Sequence, residues 1–281
     1  MEIVRRVFLA SLCFAVAISL TSSEAHSQEL NTNLMNSTFE IFGPSAVNAG
    51  TSTTGTIFIL GKPRKEDPAT GYTVLITAAH VLNEIAGDEA TLVLRKKGSD
   101  GTFSKYPYPI KIRRNGINLF VTNPDADVVA MYLAVPKDAF FQLLPIGLLA
   151  DDNTLKRLEI HPGDELFALG FPLVVDLNSF PVLRTGTLAS YPITPTKTIR
   201  TFMFTFHIFP GNSGGPVYFS FESRTYGGVT HLGSLEQAVI GLVSQQGSSS
   251  EPSYKDLPLD LAVVVPSSYI IDTIALLPET P

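Results

Sequence analysis

The sequence predicts an all-β protein, two antiparallel β-barrel halves with one helix at the C-terminal end. Short runs of Val, Ile, Leu, Thr, Tyr and Phe recur along the chain, each bounded by turn residues. Few long helical patterns separate them, which argues against a βαβ arrangement. A polar, proline-containing stretch at 144–163 divides five early runs from six later ones, as a joint between two halves would.

The early strands are predicted at 56–60, 72–76, 91–95, 108–113 and 128–133. The later ones fall at 166–169, 182–189, 201–206, 216–219, 238–244 and 261–265. From Ser267 to Leu277 apolar residues recur at helical spacing behind a serine cap, which predicts the closing helix. The expected order is a leader at 1–27, a polar lead-in at 28–45 and a first barrel at 46–143. A linker at 144–163 and a second barrel with its helix at 164–281 follow. Residues 219–237 read as an insertion that overhangs the cleft, with no legible role.

The leader is an export signal in composition. Arg5 and Arg6 precede an apolar run at 7–20, and small residues at Ala25 and Ser27 suit the positions before a cut. Cleavage is expected after Ser27 or after Ala25, giving a periplasmic or secreted protein with no stable membrane insertion. Cys13, the only cysteine of the 281 residues, lies in that segment. Disulfides, cysteine nucleophiles and thiolate metal sites are therefore not expected beyond it. The net charge of −6 and the lack of a basic cluster beyond Arg95-Lys96-Lys97 argue against a nucleic-acid partner. No metal, nucleotide or flavin motif is present, so no cofactor is expected.

Phe209-Pro210-Gly211-Asn212-Ser213-Gly214-Gly215-Pro216 carries the chemistry. Glycines permit a tight turn, and the prolines stiffen it without competing for its amides. Such a loop can present one hydroxyl beside free backbone N–H groups, as acyl transfer requires. A serine also needs a base, and the base a group that fixes its tautomer. Of His80, His161, His207 and His231, only His80 ends an apolar strand through small residues, Ile76-Thr77-Ala78-Ala79-His80. His161 has a turn composition and His231 lies in a Gly- and Thr-rich loop. Asp127 opens the apolar run Asp127-Val128-Val129-Ala130 and is preferred as the acid over Asp125, a turn aspartate after Asn123-Pro124.

Thr77-Ala78-Ala79-His80, Asp127-Val128-Val129-Ala130 and Gly211-Asn212-Ser213-Gly214-Gly215-Pro216, in that order, resemble the chymotrypsin-like serine peptidases. Pro162 to Pro172, Thr185-Gly186-Thr187-Leu188-Ala189-Ser190, Gly241-Leu242-Val243-Ser244 and Ala262 to Ser267 are similar to the protease domain of HtrA-type bacterial proteases. The likeness covers roughly 50–277, and no PDZ domain is expected after it. It implies two six-stranded barrels, a catalytic triad of His80, Asp127 and Ser213, and an oxyanion hole at Gly211, Asn212 and Ser213. There the amides of Gly211 and Ser213 would donate and Asn212 would shape the turn.

It further implies that a polypeptide substrate pairs with Ser244, Gln245 and Gln246. The resemblance puts His207 at the base of the specificity pocket with Ile208 beside it, although a histidine bonded to a neighbouring carbonyl fits the sequence equally. Relatives of this type often form trimers, so a homo-oligomer is expected as an analogy. Trypsin-type activation is not implied, because Asn212 stands where that mechanism needs an aspartate. The reverse triad order excludes an α/β-hydrolase. A catalytically silent peptide-binding or chaperone-type protein of the same fold is the alternative.

Overall fold

Residues 55–60 of strand β2 (Ser52–Pro63) are buried without a break, as happens only when a strand is covered on both faces. The strand lies between β1 (Thr38–Pro44) and β3 (Gly71–Thr77) and forms the middle of the first sheet. The computed structural model describes residues 23–68, 70–173, 179–248 and 258–281. The predicted leader run and Cys13 lie outside the described residues.

The first sheet also contains β4 (Glu89–Lys97), β5 (Phe103–Lys111), β8 (Val121–Thr122), β9 (Val129–Tyr132) and β10 (Leu144–Pro145). Its order is β5-β4-β1-β2-β3-β9-β8, with β10 parallel to β2. A hairpin of β6 (Arg113–Arg114) and β7 (Ile117–Asn118) links its two ends, and there Leu119 N donates to Ile112 O at 2.9 Å. The second sheet comprises β11 (Glu165–Gly170), β12 (Val182–Thr187), β13 (Phe202–Phe204), β14 (Pro216–Tyr226), β15 (Val229–Ser248) and β16 (Pro258–Pro266). Its order is β12-β11-β14-β15-β16-β13, and its edges meet through the Leu188–Phe204 bridge and the Ala189 N to Met203 O bond of 2.7 Å. That contact closes the sheet on itself as a barrel.

Every predicted run falls on a strand, and the all-β, two-part architecture is the one observed. The strand count needs one correction. The second sheet has the six strands expected, but the first has eight, because β1 and the short β8 and β10 join the five predicted runs.

The lead-in at 28–45 proves structural. Helix α1 (Ser23–Ser37) runs through the expected cleavage positions and buries Leu30 and Leu34, each worth about 2 kcal/mol of apolar transfer. Tyr218 Oη donates to Asn31 Oδ1 at 2.5 Å, and β1 pairs with both β2 and β4. Phe39 and Ile41 alternate into the core, a period-two signal hidden by the polar residues before it.

The linker at 144–163 carries helix α3 (Asp152–Arg157), capped by Asp151 through Thr154 N at 2.8 Å. Residues 219–237 form the outer half of a long β14–β15 hairpin that turns at Gly227-Gly228, both with positive φ. Arg224 ties it down through a buried pair with Asp164 at 2.7 Å and a bond to Leu158 O. Among the described residues, none of 219–237 lines the cleft described below.

Two helices complete the frame, α2 (Ala79–Asn83) after β3 and α5 (Ser267–Ala275) after β16; a short turn, α4 (Thr196–Ile199), precedes β13. Tyr269, Ile270 and Ile274 of α5 pack into the first core cluster, so the C-terminal helix covers the seam between the sheets. Among the described residues no helix is long and apolar enough to cross a membrane.

Candidate active site

His80 stands on the first turn of α2, directly after β3 ends. Ala79, Val81 and Leu82 are buried beneath it, so the helix is anchored and the imidazole faces the seam. Arg113 fixes the far end of this element. Its guanidinium donates to Leu82 O, Ile85 O and Gly87 O at 2.7 to 2.8 Å.

Asp127 immediately precedes the buried run that begins at Val128. Its Oδ2 meets His80 Nδ1 at 2.7 Å, and its Oδ1 accepts the His80 backbone N–H at 2.9 Å. The hydroxyl of Ser244 donates to the same Oδ2 at 2.5 Å. Burial pushes the Asp127 carboxyl up, but the hydrogen bond and charge of His80, the Ser244 hydroxyl and the His80 amide outweigh it and bring it to about 2. Burial pulls the His80 imidazole down; its hydrogen bond and ion pair with Asp127 outweigh that, and it ends above its ordinary value. Asp125, the rival acid, lines the same cleft without a bond to His80.

Ser213 enters from the second barrel on the loop before β14. Gly214 has φ +87, and a Cβ there would lie 2.1 Å from Thr56 O and from Thr77 Oγ1, so only glycine fits. The Ser213 hydroxyl donates to Ser244 O at 3.0 Å. His80, Asp127, Ser213, Ser244 and Gln245 all line one open cleft of about 700 Å³. A register shift between Val243 and Gln245 leaves Ser244 out of step with β16, so its carbonyl and its hydroxyl both turn to the site.

Among the described residues the amides of Gly211 and Ser213 donate to nothing, whereas Asn212 N donates to Phe209 O at 3.1 Å. Asn212 thus offers no free amide to an oxyanion; its N–H closes the turn instead. Its carboxamide is buried, with neither atom paired among the described residues.

Ile208, Phe209, Val263 and Val265 give the cleft an apolar wall. His207 is not part of that lining. Its Nδ1 meets Asp260 Oδ1 at 2.5 Å, its ring lies against Phe209, and its carbonyl accepts from Arg184 at 3.3 Å. The residue expected at the pocket base thus has its ring on Asp260 and Phe209, with Ile208 on the cleft wall beside it. Gln246 continues β15 opposite Ala262. His161 and His231 lie elsewhere, the first beside Asp164 and the second stacked on Tyr226. No three His, Cys, Asp or Glu side chains gather as a metal set among the described residues.

Three participants escaped the sequence reading: Thr56, which reaches the Ser213 loop from β2; Arg113; and the hydroxyl of Ser244. Each acts across a gap in sequence, and a threonine that leads into the apolar run Ile57-Phe58-Ile59-Leu60 carries no mark of its partner.

A two-barrel all-β fold with a His–Asp pair and a serine facing each other across the seam defines this molecule. No family model and no curated protein sequence matches the chain. Many solved structures are similar to it, two of which are given. One, titled Deg5, has 16% identity and a TM-score of 0.49, covering 91% of this chain and 95% of its own. The other, the Rv3671c protease from M. tuberculosis in its active form, has 16% identity and a TM-score of 0.47, covering 90% and 86%.

Proposed function

We propose that this protein is a serine endopeptidase that uses Ser213, His80 and Asp127. The observation that carries the reading is the 2.7 Å pair of His80 Nδ1 with Asp127 Oδ2, in the cleft that also holds Ser213. With Nδ1–H given to the carboxylate, the Nε2 lone pair is the free base.

Ser213 Oγ bonds to the scissile carbonyl carbon while its proton passes to Nε2. The carbonyl oxygen becomes an oxyanion, held by the amides of Gly211 and Ser213. Collapse breaks the C–N bond, and His80 returns the proton to the leaving amine. Water then enters, gives a proton to His80 and bonds to the acyl carbon; the ester C–O bond breaks as His80 returns that proton to Ser213 Oγ, which restores both residues. Asp127 keeps the imidazole in its tautomer and stays ionised throughout. The substrate lies extended along 244–246, paired through its main chain, with an apolar side chain against Ile208, Val263 and Val265. Export by the N-terminal leader belongs to the same reading, as does assembly into a homo-oligomer.

A catalytically silent peptide binder is favoured by one observation: the Ser213 hydroxyl donates to Ser244 O. The enzyme reading requires it to rotate about χ1 to His80. Fluorophosphonate labelling decides. A peptidase is labelled at Ser213, His80→Ala is labelled far more slowly, and a peptide library is cut by wild type but not by Ser213→Ala. A folded protein that takes no label is the binder.

A further inference from the structure

The Ser213 loop is gripped from the opposite barrel by a side chain that neither attacks nor carries a proton in the reaction. We infer that Thr56 is a positioning residue for the oxyanion amides, its hydroxyl locking the loop with those donors turned to the cleft. The inference rests on the peptidase reading and extends it.

Thr56 is fully buried in β2. Its Oγ1 donates to Gly211 O at 2.7 Å and accepts the Phe171 N–H at 3.1 Å. A hydroxyl has one proton to give, so the direction of both bonds is fixed. Its backbone N–H donates to Ser213 O at 2.8 Å, and its own carbonyl accepts from Thr77 Oγ1 at 2.7 Å. One residue of the first barrel therefore holds two carbonyls of the nucleophile loop.

The consequence follows from peptide geometry. Three successive carbonyls are pinned: Pro210 O by Leu173 N at 3.1 Å, Gly211 O by Thr56, and Asn212 O by Gly215 N at 3.0 Å. A trans peptide aims its N–H opposite to its C=O. Pinning Pro210 O fixes the direction of the Gly211 amide, and pinning Asn212 O fixes that of the Ser213 amide. The unit between them joins the two donors, and Gly211, at φ +99, has the widest freedom to rotate it. The N–H end of that unit, Asn212 N, bonds Phe209 O at 3.1 Å, and Thr56 supplies the side-chain bond on its carbonyl end that completes the lock. Because the bond crosses the seam, the donors are aligned only when both barrels are docked.

The test compares Thr56→Val, Thr56→Ala and Thr56→Ser with wild type, with melting temperature, kcat, KM and binding of a peptide trifluoromethyl ketone measured for each. The ketone forms an oxyanion in the site, so it reports on the amides directly. Thr56→Val is expected to lose about 10- to 100-fold in kcat, less than removal of an oxyanion donor itself, with KM nearly unchanged. Ketone affinity falls in parallel, and Thr56→Ser recovers most of both. Should Thr56→Val not fold, Thr56→Ala read against Thr56→Ser carries the same comparison. Wild-type kcat and ketone affinity in a folded Thr56→Val or Thr56→Ala overturn the inference while leaving the peptidase reading intact. So does unfolding of every hydroxyl-free variant, which assigns Thr56 to stability alone. Absence of fluorophosphonate labelling in folded wild type removes both.

Discussion

Ser244 serves Ser213 and Asp127 at once: its carbonyl accepts the nucleophile's hydroxyl at 3.0 Å, and its own hydroxyl donates to the carboxylate at 2.5 Å. The bulge in β15 makes both contacts available from one residue. Replacing Ser244 by Ala removes one of the bonds that hold Asp127 ionised and leaves the carbonyl in place. The expected result is a fall of about tenfold in kcat, the size of one charge-assisted hydrogen bond, with the Ser213 contact retained. Unchanged kcat would show that the His80 contacts alone fix the carboxylate.

The raised His80 sets the pH dependence. A base must be neutral, so turnover is lost as pH falls through the raised imidazole value, above the ordinary 6.5. Asp127→Asn removes the opposing carboxylate, so the limb moves down in pH while kcat drops by about 10³- to 10⁴-fold through the wrong tautomer. A kcat/KM profile of both proteins checks this; an acidic limb that does not move would sink the pairing as its cause. The stability consequence has the linked sign. The His80 contribution is complete below 6.5 and is lost as pH rises through the raised value. The Asp127 contribution is present above 3.8 and is lost as pH falls towards about 2.

Gly214→Ala is expected to fail by collision rather than by loss of a contact. Its Cβ would meet Thr56 O and Thr77 Oγ1 at 2.1 Å, from a φ of +87 that an L-residue strongly disfavours. Both obstacles lie in buried strands that cannot move aside. A loss of about 3 kcal/mol in urea stability together with near-abolished turnover is the expected pair of results. Wild-type stability would mean that the loop adopts another backbone path.

The strands were legible because they are short, β-branched and separated by turn residues, and the position of His80 followed from the small residues that lead into it. The geometry around Ser213 was legible only as far as its glycines and prolines. What stayed hidden depends on distant pairing. β1 was masked by an Asn- and Thr-rich approach, although Phe39 and Ile41 alternate; α1 carries too few apolar residues to announce itself. The pairing of His207 with Asp260, which has φ +49, was hidden as well, because nothing local to either residue signals that meeting. The course of 219–237 was not legible because its anchors, Arg224 with Asp164 and Leu158 O, are set by tertiary packing.

Arg95 gives the last prediction, on the part of the chain least visible in the sequence. It heads the basic triplet Arg95-Lys96-Lys97, yet it is fully buried. Its guanidinium donates to Met35 O, Asn36 O, Thr38 O and Ser179 O at 2.6 to 3.1 Å and lies between the rings of Phe39 and Phe180. Burial lowers it to about 9, so it stays charged at neutral pH. The carbonyls of Met35 and Asn36 close the C-terminal end of α1, where a cation is favoured by the helix dipole. Arg95→Ala leaves those acceptors buried and unpaired beside a cavity, and a loss of about 3 kcal/mol or more in urea unfolding is expected. Arg95→Lys is expected to recover little, because an ammonium cannot reach four divergent carbonyls or stack flat between two rings. Hydrogen exchange should rise first in α1 and β1, the segments the guanidinium joins. If Arg95→Lys matched wild type in both measurements, charge alone would be holding the N-terminal helix, and the fork of hydrogen bonds would be dispensable.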